Sequence, residues 1–113
     1  MQIHLDPEIF EQVKNGTKNV EARVNDEKRR QIKIGDNIEV LKRPDEIETL
    51  KVRVIGLKTF ADFIELANNY PIERLYSPSF TKEEYLTLFP KFYSDEEINK
   101  YGTIAIEFEI VNE

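Results

Sequence analysis

Cysteine is absent from this sequence of 113 residues. That excludes disulfides, thiolate zinc sites, iron–sulfur clusters and cysteine nucleophiles. Histidine occurs once, as His4, so no His-pair metal site can form and a Ser-His-Asp triad is disfavoured. No Walker, Rossmann or zinc pattern is present, and neither a metal nor a cofactor is expected. No apolar run approaches the ~18 residues of a membrane span, and no signal-peptide core follows Met1. These absences point to a soluble, cytoplasmic protein with no membrane partner. The length fits a single domain over residues 1–113, and such a chain buries roughly 65% of its unfolded surface without needing staples.

The charge present is uneven. The formal net charge is −6, yet residues 14–33 carry seven basic side chains against three acidic ones. That segment is +4 and the remainder is −10. A protein with this balance does not coat nucleic acid indiscriminately, but it can attract a small anionic ligand or one strand at one place. A solvated surface stretch is the plainer explanation of the same run.

Alternation over residues 2–5 predicts a short strand. Asp6-Pro7 then marks a helix start, Ile9, Phe10 and Val13 share one face, and Gly16 closes the helix in the left-handed region. Over residues 17–24, Val20, Ala22 and Val24 alternate with Asn19, Glu21 and Arg23, predicting a strand with one buried and one polar face. Residues 25–31 read as a short turn or helix. Residues 32–40 read as two strand-like ends around Gly35-Asp36, with Ile34 and Ile38 in the core, and Arg43-Pro44-Asp45 as a turn. Residues 50–57 are β-branched and extend the sheet. Helical spacing begins with Phe60, Phe63, Ile64 and Ala67, and residues 68–80 read as irregular. Thr81 with Glu84 and Ser94 with Glu97 form two capping boxes, flanked by the apolar pairs Phe80/Tyr85 and Tyr93/Ile98. Pro90 should stop the first helix and Gly102 follows the second. Residues 103–111 alternate as a last strand. Five strands with inserted helices give an α+β class, and small twisted sheets commonly close into barrels. Eight of the twelve aromatics lie between Tyr70 and Tyr101; packing the helical insert onto the barrel accounts for most of them.

One segment could carry chemistry: Gly16-Thr17-Lys18-Asn19-Val20-Glu21-Ala22-Arg23. Glu21 and Arg23 are two apart on a strand and so share a face, roughly 7 Å apart at the backbone. A carboxylate beside a guanidinium can hold the planar fork ready for a carbonyl, a phosphate or a base edge. By strict alternation Lys18 belongs to the other face, and it joins the pair only if it precedes the regular strand or sits at a bulge. A surface ion pair with an unrelated lysine explains the same residues.

The run Gly16-x-Lys18-x-x-Glu21-x-Arg23, followed by Arg30, Ile32, Gly35-Asp36 and Ile38, resembles the ASCH domain family, as do the opening helix and the tail Tyr93-Ser94 … Glu97 … Tyr101-Gly102. The resemblance covers nearly the whole chain. It implies a PUA-like small β-barrel of five or six strands with peripheral helices. It also implies a cleft beside the barrel lined by Lys18, Glu21 and Arg23, and a partner that is RNA or a nucleotide-like ligand. Some relatives are small amidohydrolases acting on N4-acetylcytidine. This chain matches them at the lysine and arginine but has Glu21 where they carry a nucleophilic threonine. Thr17 and Glu73 stand near the missing groups without matching them. Other relatives are proposed to cleave RNA. The expectation is therefore an RNA- or nucleotide-binding module whose ligand meets Lys18, Glu21, Arg23, Arg30 and Tyr93. The alternative is a hydrolase of a modified nucleoside, or an RNA-cleaving enzyme, using Lys18 and Glu21.

The remaining candidates have simpler explanations. His4 reads as a packing histidine. Glu83-Glu84 and Glu96-Glu97 suit helix N-termini. Tyr93 reads either as the staple of the last helix or as a hydroxyl at the cleft mouth.

Overall fold

A computed structural model describes residues 1–111. Five strands form one curled half-barrel sheet with five helices around it, an α+β PUA-like architecture. The strands are β1 (Gln2–Leu5), β2 (Val20–Val24), β3 (Asn37–Lys42), β4 (Thr49–Phe60) and β5 (Thr103–Ile110), in the order β1-β3-β4-β5-β2. β1 runs parallel to β3, and every other pairing is antiparallel. β1 and β2 are the edges of the sheet and do not pair with each other. The helix α1 (Pro7–Lys14) fills the concave side instead: Phe10 and Val13 are fully buried with Ile3, Ile38, Val40, Val52, Val54, Ile104, Ile106 and Phe108.

Alternation along β5 separates this inner cluster from an outer one. Ile104, Ile106 and Phe108 face inward, whereas Ala105 joins Val20, Ala22 and Val24 of β2 against the helical insert. The insert comprises α2 (Phe63–Asn68), α3 (Ile72–Leu75), α4 (Lys82–Leu86) and α5 (Asp95–Tyr101). Its aromatics pack as expected: Phe63 stacks on Phe89 at 3.8 Å, and Tyr85 meets Phe89 and Tyr76 at 5.0 and 5.5 Å. Both capping boxes form, with Thr81 and Ser94 each accepting from the amide that the paired glutamate's residue supplies. At Gly102, φ is +68° and a Cβ would stand 2.8 Å from the Phe60 carbonyl oxygen, so no other residue fits between α5 and β5.

Several expectations need correction. Ile34 is exposed, not core, because β3 begins only at Asn37 and residues 33–36 form a turn pinned by backbone bonds between Gly35, Asp36 and Val54. Phe60 ends β4 instead of opening a helix, since that twelve-residue strand continues past a bulge at Val54/Gly56. Residues 72–75 form the short helix α3 within the stretch read as irregular. α4 has already ended when Pro90 appears, and Pro90 lies in a separate 3₁₀ turn, Phe89–Lys91. Asp6 occupies the N-cap of α1 without capping it; its carboxylate faces Arg43 at 3.6 Å.

Candidate functional site

The chain leaves α1 through Asn15 and Gly16, where φ is +85°. The amide of Lys18 donates to the Gln12 carbonyl, and that of Asn19 to the Arg74 carbonyl. Lys18 therefore precedes the regular strand, which starts at Val20, and strand alternation does not bind it. Phe108 N donates to the Asn19 carbonyl. By the alternation of an antiparallel ladder, Glu21 and Arg23 then bond to β5, and the carbonyls of Val20 and Ala22 point to the free edge.

The side chains close over that edge. Lys18 Nζ donates to the carbonyls of Val20 and Leu75, each at 2.6 Å, and to Glu21 Oε1 at 3.0 Å. Glu21 Oε2 accepts from Arg23 at 2.7 Å, and a second Arg23 nitrogen reaches the Ala22 carbonyl at 3.5 Å. One carboxylate thus serves two cations, and the three groups carry a net +1. Lys18 is 2% exposed and Glu21 6%, while the Arg23 side chain is 25% exposed. The three do converge, but not in an open cleft: α3 roofs the lysine through Leu75, and Arg23 alone of the three meets solvent appreciably.

Burial lowers the lysine below its ordinary range, and Glu21 offsets part of that effect. Three acceptors around one nitrogen require three protons, so the geometry is that of an ammonium. Burial pushes the Glu21 carboxyl up, but Arg23 and Lys18 together outweigh it and hold the group below the usual carboxylate range. With its protons committed and its surface covered, Lys18 presents no free charge to solvent.

Arg30 stands apart from this triad. Its Nε donates to the Asn25 carbonyl at 2.8 Å, just beyond the C-terminal end of β2. Tyr93 lies on the insert, with its ring 5.8 Å from that of Phe63, and no hydrogen bond among the described residues joins it to Lys18, Glu21 or Arg23. Glu73 is exposed on α3, and no hydrogen bond or ion pair among the described residues links it to Lys18. His4 pairs with Glu46 at 2.7 Å.

Sequence reasoning missed three residues beside the triad. Ser77 is buried, and its hydroxyl donates to Glu8 of α1 at 3.2 Å; Ser79 bonds to the same oxygen. These bonds tie the loop after α3 to the N-terminal turn of α1. Burial raises the Tyr76 phenol, and the charges of Asp6, Glu8 and Glu21 add to the effect. No local pattern announces these partners, which lie about seventy residues apart in sequence. Two shallow depressions, of about 360 and 250 Å³, lie elsewhere, around Gln31, Ile32 and Asn37 and around Glu39 and Leu50. Neither is lined by a triad residue.

The chain matches the ASCH domain over residues 3–112. It belongs to the ASCH domain family. Among solved structures, the hypothetical protein PH0355 is 34% identical, with 97% of each chain covered and a TM-score of 0.78. Protein PF0455 from Pyrococcus furiosus is 31% identical over the full length of both chains, with a TM-score of 0.70. A tyrosine-to-phenylalanine variant of the ASCH protein of Zymomonas mobilis is 15% identical. It covers 98% of this chain and 73% of that one at a TM-score of 0.58, a likeness of fold alone. No curated protein matches the sequence. The ASCH assignment and the curled sheet agree with the resemblance carried by Gly16 to Arg23.

Proposed function

We propose that this ASCH domain binds RNA or a nucleotide, with Arg23 as the group that meets the ligand. The observation that carries this reading is the ordered triad. Glu21 is fixed by a buried ammonium and in turn holds one side of the Arg23 fork, and the triad's excess positive charge reaches solvent through that fork. A guanidinium held in this way loses little freedom when it grips a phosphate oxygen or a base edge. Lys18 acts as a positioning residue beneath it. A protonated lysine has no lone pair with which to take a proton, and Glu21 replaces the hydroxyl of the hydrolytic relatives. Both features favour binding over hydrolysis of a modified nucleoside.

The test is titration of a mononucleotide and of short single-stranded RNAs against wild type and Arg23→Gln, with thermal melts alongside. Loss of a bidentate, charge-assisted contact of about 1.5–3 kcal/mol should weaken binding by roughly 10- to 150-fold. The substitution also takes from the buried Glu21 one of its two cations, so the melting temperature should fall, and the titrations are made where the melt shows the variant folded. Equal affinity in the two proteins defeats the proposal. N4-acetylcytidine offered to wild type should yield no cytidine, and turnover that disappears in Lys18→Met would establish the enzyme instead.

A further inference from the structure

We infer that Arg30 and Lys100, gathered on the ring of Tyr101, form a second phosphate-binding subsite that extends the Arg23 site along a single RNA strand. The inference rests on the reading above and adds to it a place for the next part of the chain. The Arg30 guanidinium lies 5.8 Å from the Tyr101 ring centroid and the Lys100 ammonium 5.0 Å. Two like charges are therefore brought to one aromatic ring, and among the described residues neither has a carboxylate within ion-pair distance.

Two acids close to the pair in sequence are engaged elsewhere. Asp26 pairs with Arg29 at 3.1 Å, and Glu97 caps the backbone amide of Ser94. Glu96 stands four residues before Lys100, the spacing of a helical ion pair, yet no ion pair joins them. Several other cations of this chain, whose net charge is −6, are paired instead. Lys14, Lys42, Arg43, Arg53 and Lys58 each face a carboxylate within 4 Å. Cations gathered without a counter-charge repel each other, and an anion bound beside them relieves that cost.

The pair is also held in place. Arg30 Nε is bonded to the Asn25 carbonyl, leaving both terminal nitrogens of its fork without a protein partner among the described residues. The Asn25 amide donates to the Gly102 carbonyl, which fixes Tyr101 beside the same point. Asn25, the residue just beyond β2, follows Arg23 by two positions, roughly 7 Å where the chain is extended. A ligand longer than one nucleotide can thus touch Arg23 and continue onto the Arg30–Lys100 pair. Helix-dipole complementarity explains a lysine in the last turn of α5. It does not explain why an arginine from another segment shares the ring.

The experiment is a length series by fluorescence anisotropy: uridine monophosphate and labelled oligouridylates, against wild type, Arg30→Gln/Lys100→Gln and Arg23→Gln. Each single-strand phosphate contact contributes about −0.7 to the slope of log K against log salt. Wild type should therefore gain affinity with length, and its oligomer slope should be steeper than that of the double variant by roughly 0.7–1.4. The double variant should bind the mononucleotide like wild type and lose most of the length gain. A Lys100→Glu variant, which puts an acid on the ring, should lose it as well. If the double variant keeps both the gain and the slope, the subsite is wrong while the Arg23 site stands. If wild type binds neither mononucleotide nor oligomer, both fall. Both substituted side chains are on exposed residues, and an unchanged melting temperature confirms that the variants are folded.

Discussion

Glu21 and Glu48 each hold two cations, but in different surroundings. Glu21 lies between Lys18 and Arg23 with its side chain 8% exposed; Glu48 lies between Lys14 at 2.8 Å and Lys42 at 3.4 Å with its side chain 42% exposed. On paper the two clusters are the same chemistry. Water separates them. Around Glu48 it stands ready to replace either partner, so the pairs add little. Around Glu21 it is excluded, for both Lys18 and Glu21 are buried. Each charge there depends on the others, and removing the shared carboxylate would leave a cation buried with no counter-ion. The same cover that makes the triad costly to break holds Arg23 still enough to recognise a ligand. The outer cluster has no comparable task.

The largest expected effect tests that asymmetry directly. Glu21→Ala leaves Lys18 buried beside two carbonyls with no negative charge near it. Unfolding in urea should show a loss of about 3–5 kcal/mol, the range for breaking a buried ion pair by removing one partner. A loss near that of a surface pair would mean that water enters the site.

The acid limb sharpens the same contrast. The folded-state carboxyl of Glu21 lies below its ordinary value because Arg23 and Lys18 overcome burial. A depressed folded pKa contributes stability that is complete above the unfolded value, about 4.3 for glutamate. That contribution is lost as the pH falls through the folded value. The difference in stability between wild type and Glu21→Gln should therefore be constant near neutrality and shrink below about pH 4.3. A gap that stays constant into acid would show that the carboxylate gains nothing from its neighbours.

A smaller effect asks whether the cover matters apart from the charge. Ser94→Ala removes one half of the capping box of α5 and should cost about 1 kcal/mol. Glu21 and its partners are left intact, so Arg23-dependent binding should not change. If binding falls together with stability, α5 positions the site instead of merely packing beside it.

Much of this arrangement is legible in the residues. Pro7 and Gly16 bound α1, and the two capping boxes place α4 and α5, because these signals are local and act through the nearest amides. The apolar positions that alternate along β2, β4 and β5 are buried, as is Ile38 of β3, because the inner cluster and the helical insert between them cover the faces they point to. Where reading fails, the deciding partner is remote. Ile34 has the look of a strand residue, but Gly35 at φ +97° turns the chain before β3 begins. Glu21 falls on the polar face of its strand yet is buried, and the Leu75 carbonyl that holds its lysine partner comes from α3, more than fifty residues later. Lys18 reads as a free charge until the Leu75 carbonyl arrives. Arg30 is visible as part of a basic run; that it shares a ring with Lys100 depends on the Asn25–Gly102 bond, just beyond the end of β2 and before the start of β5.

The smallest effect belongs to Glu48, and it completes the comparison. Its carboxyl is lowered first by the hydrogen bond from Lys14, with Lys42 adding a weaker pull. Glu11 also holds Lys42, at 3.0 Å, so that lysine keeps a partner when Glu48 is neutralised. Both cations are free to turn to water, and salt screens what attraction remains within about 10 Å at 0.1 M. Glu48→Gln should therefore leave the urea midpoint where it is, with any difference fading as salt is added. Glu21→Gln in the same buffers should remain shifted at every salt concentration, because its partners are shielded from the ions. If the two variants respond alike to salt, burial does not divide the clusters, and the rigid Arg23 that the binding proposal needs would lose its physical basis.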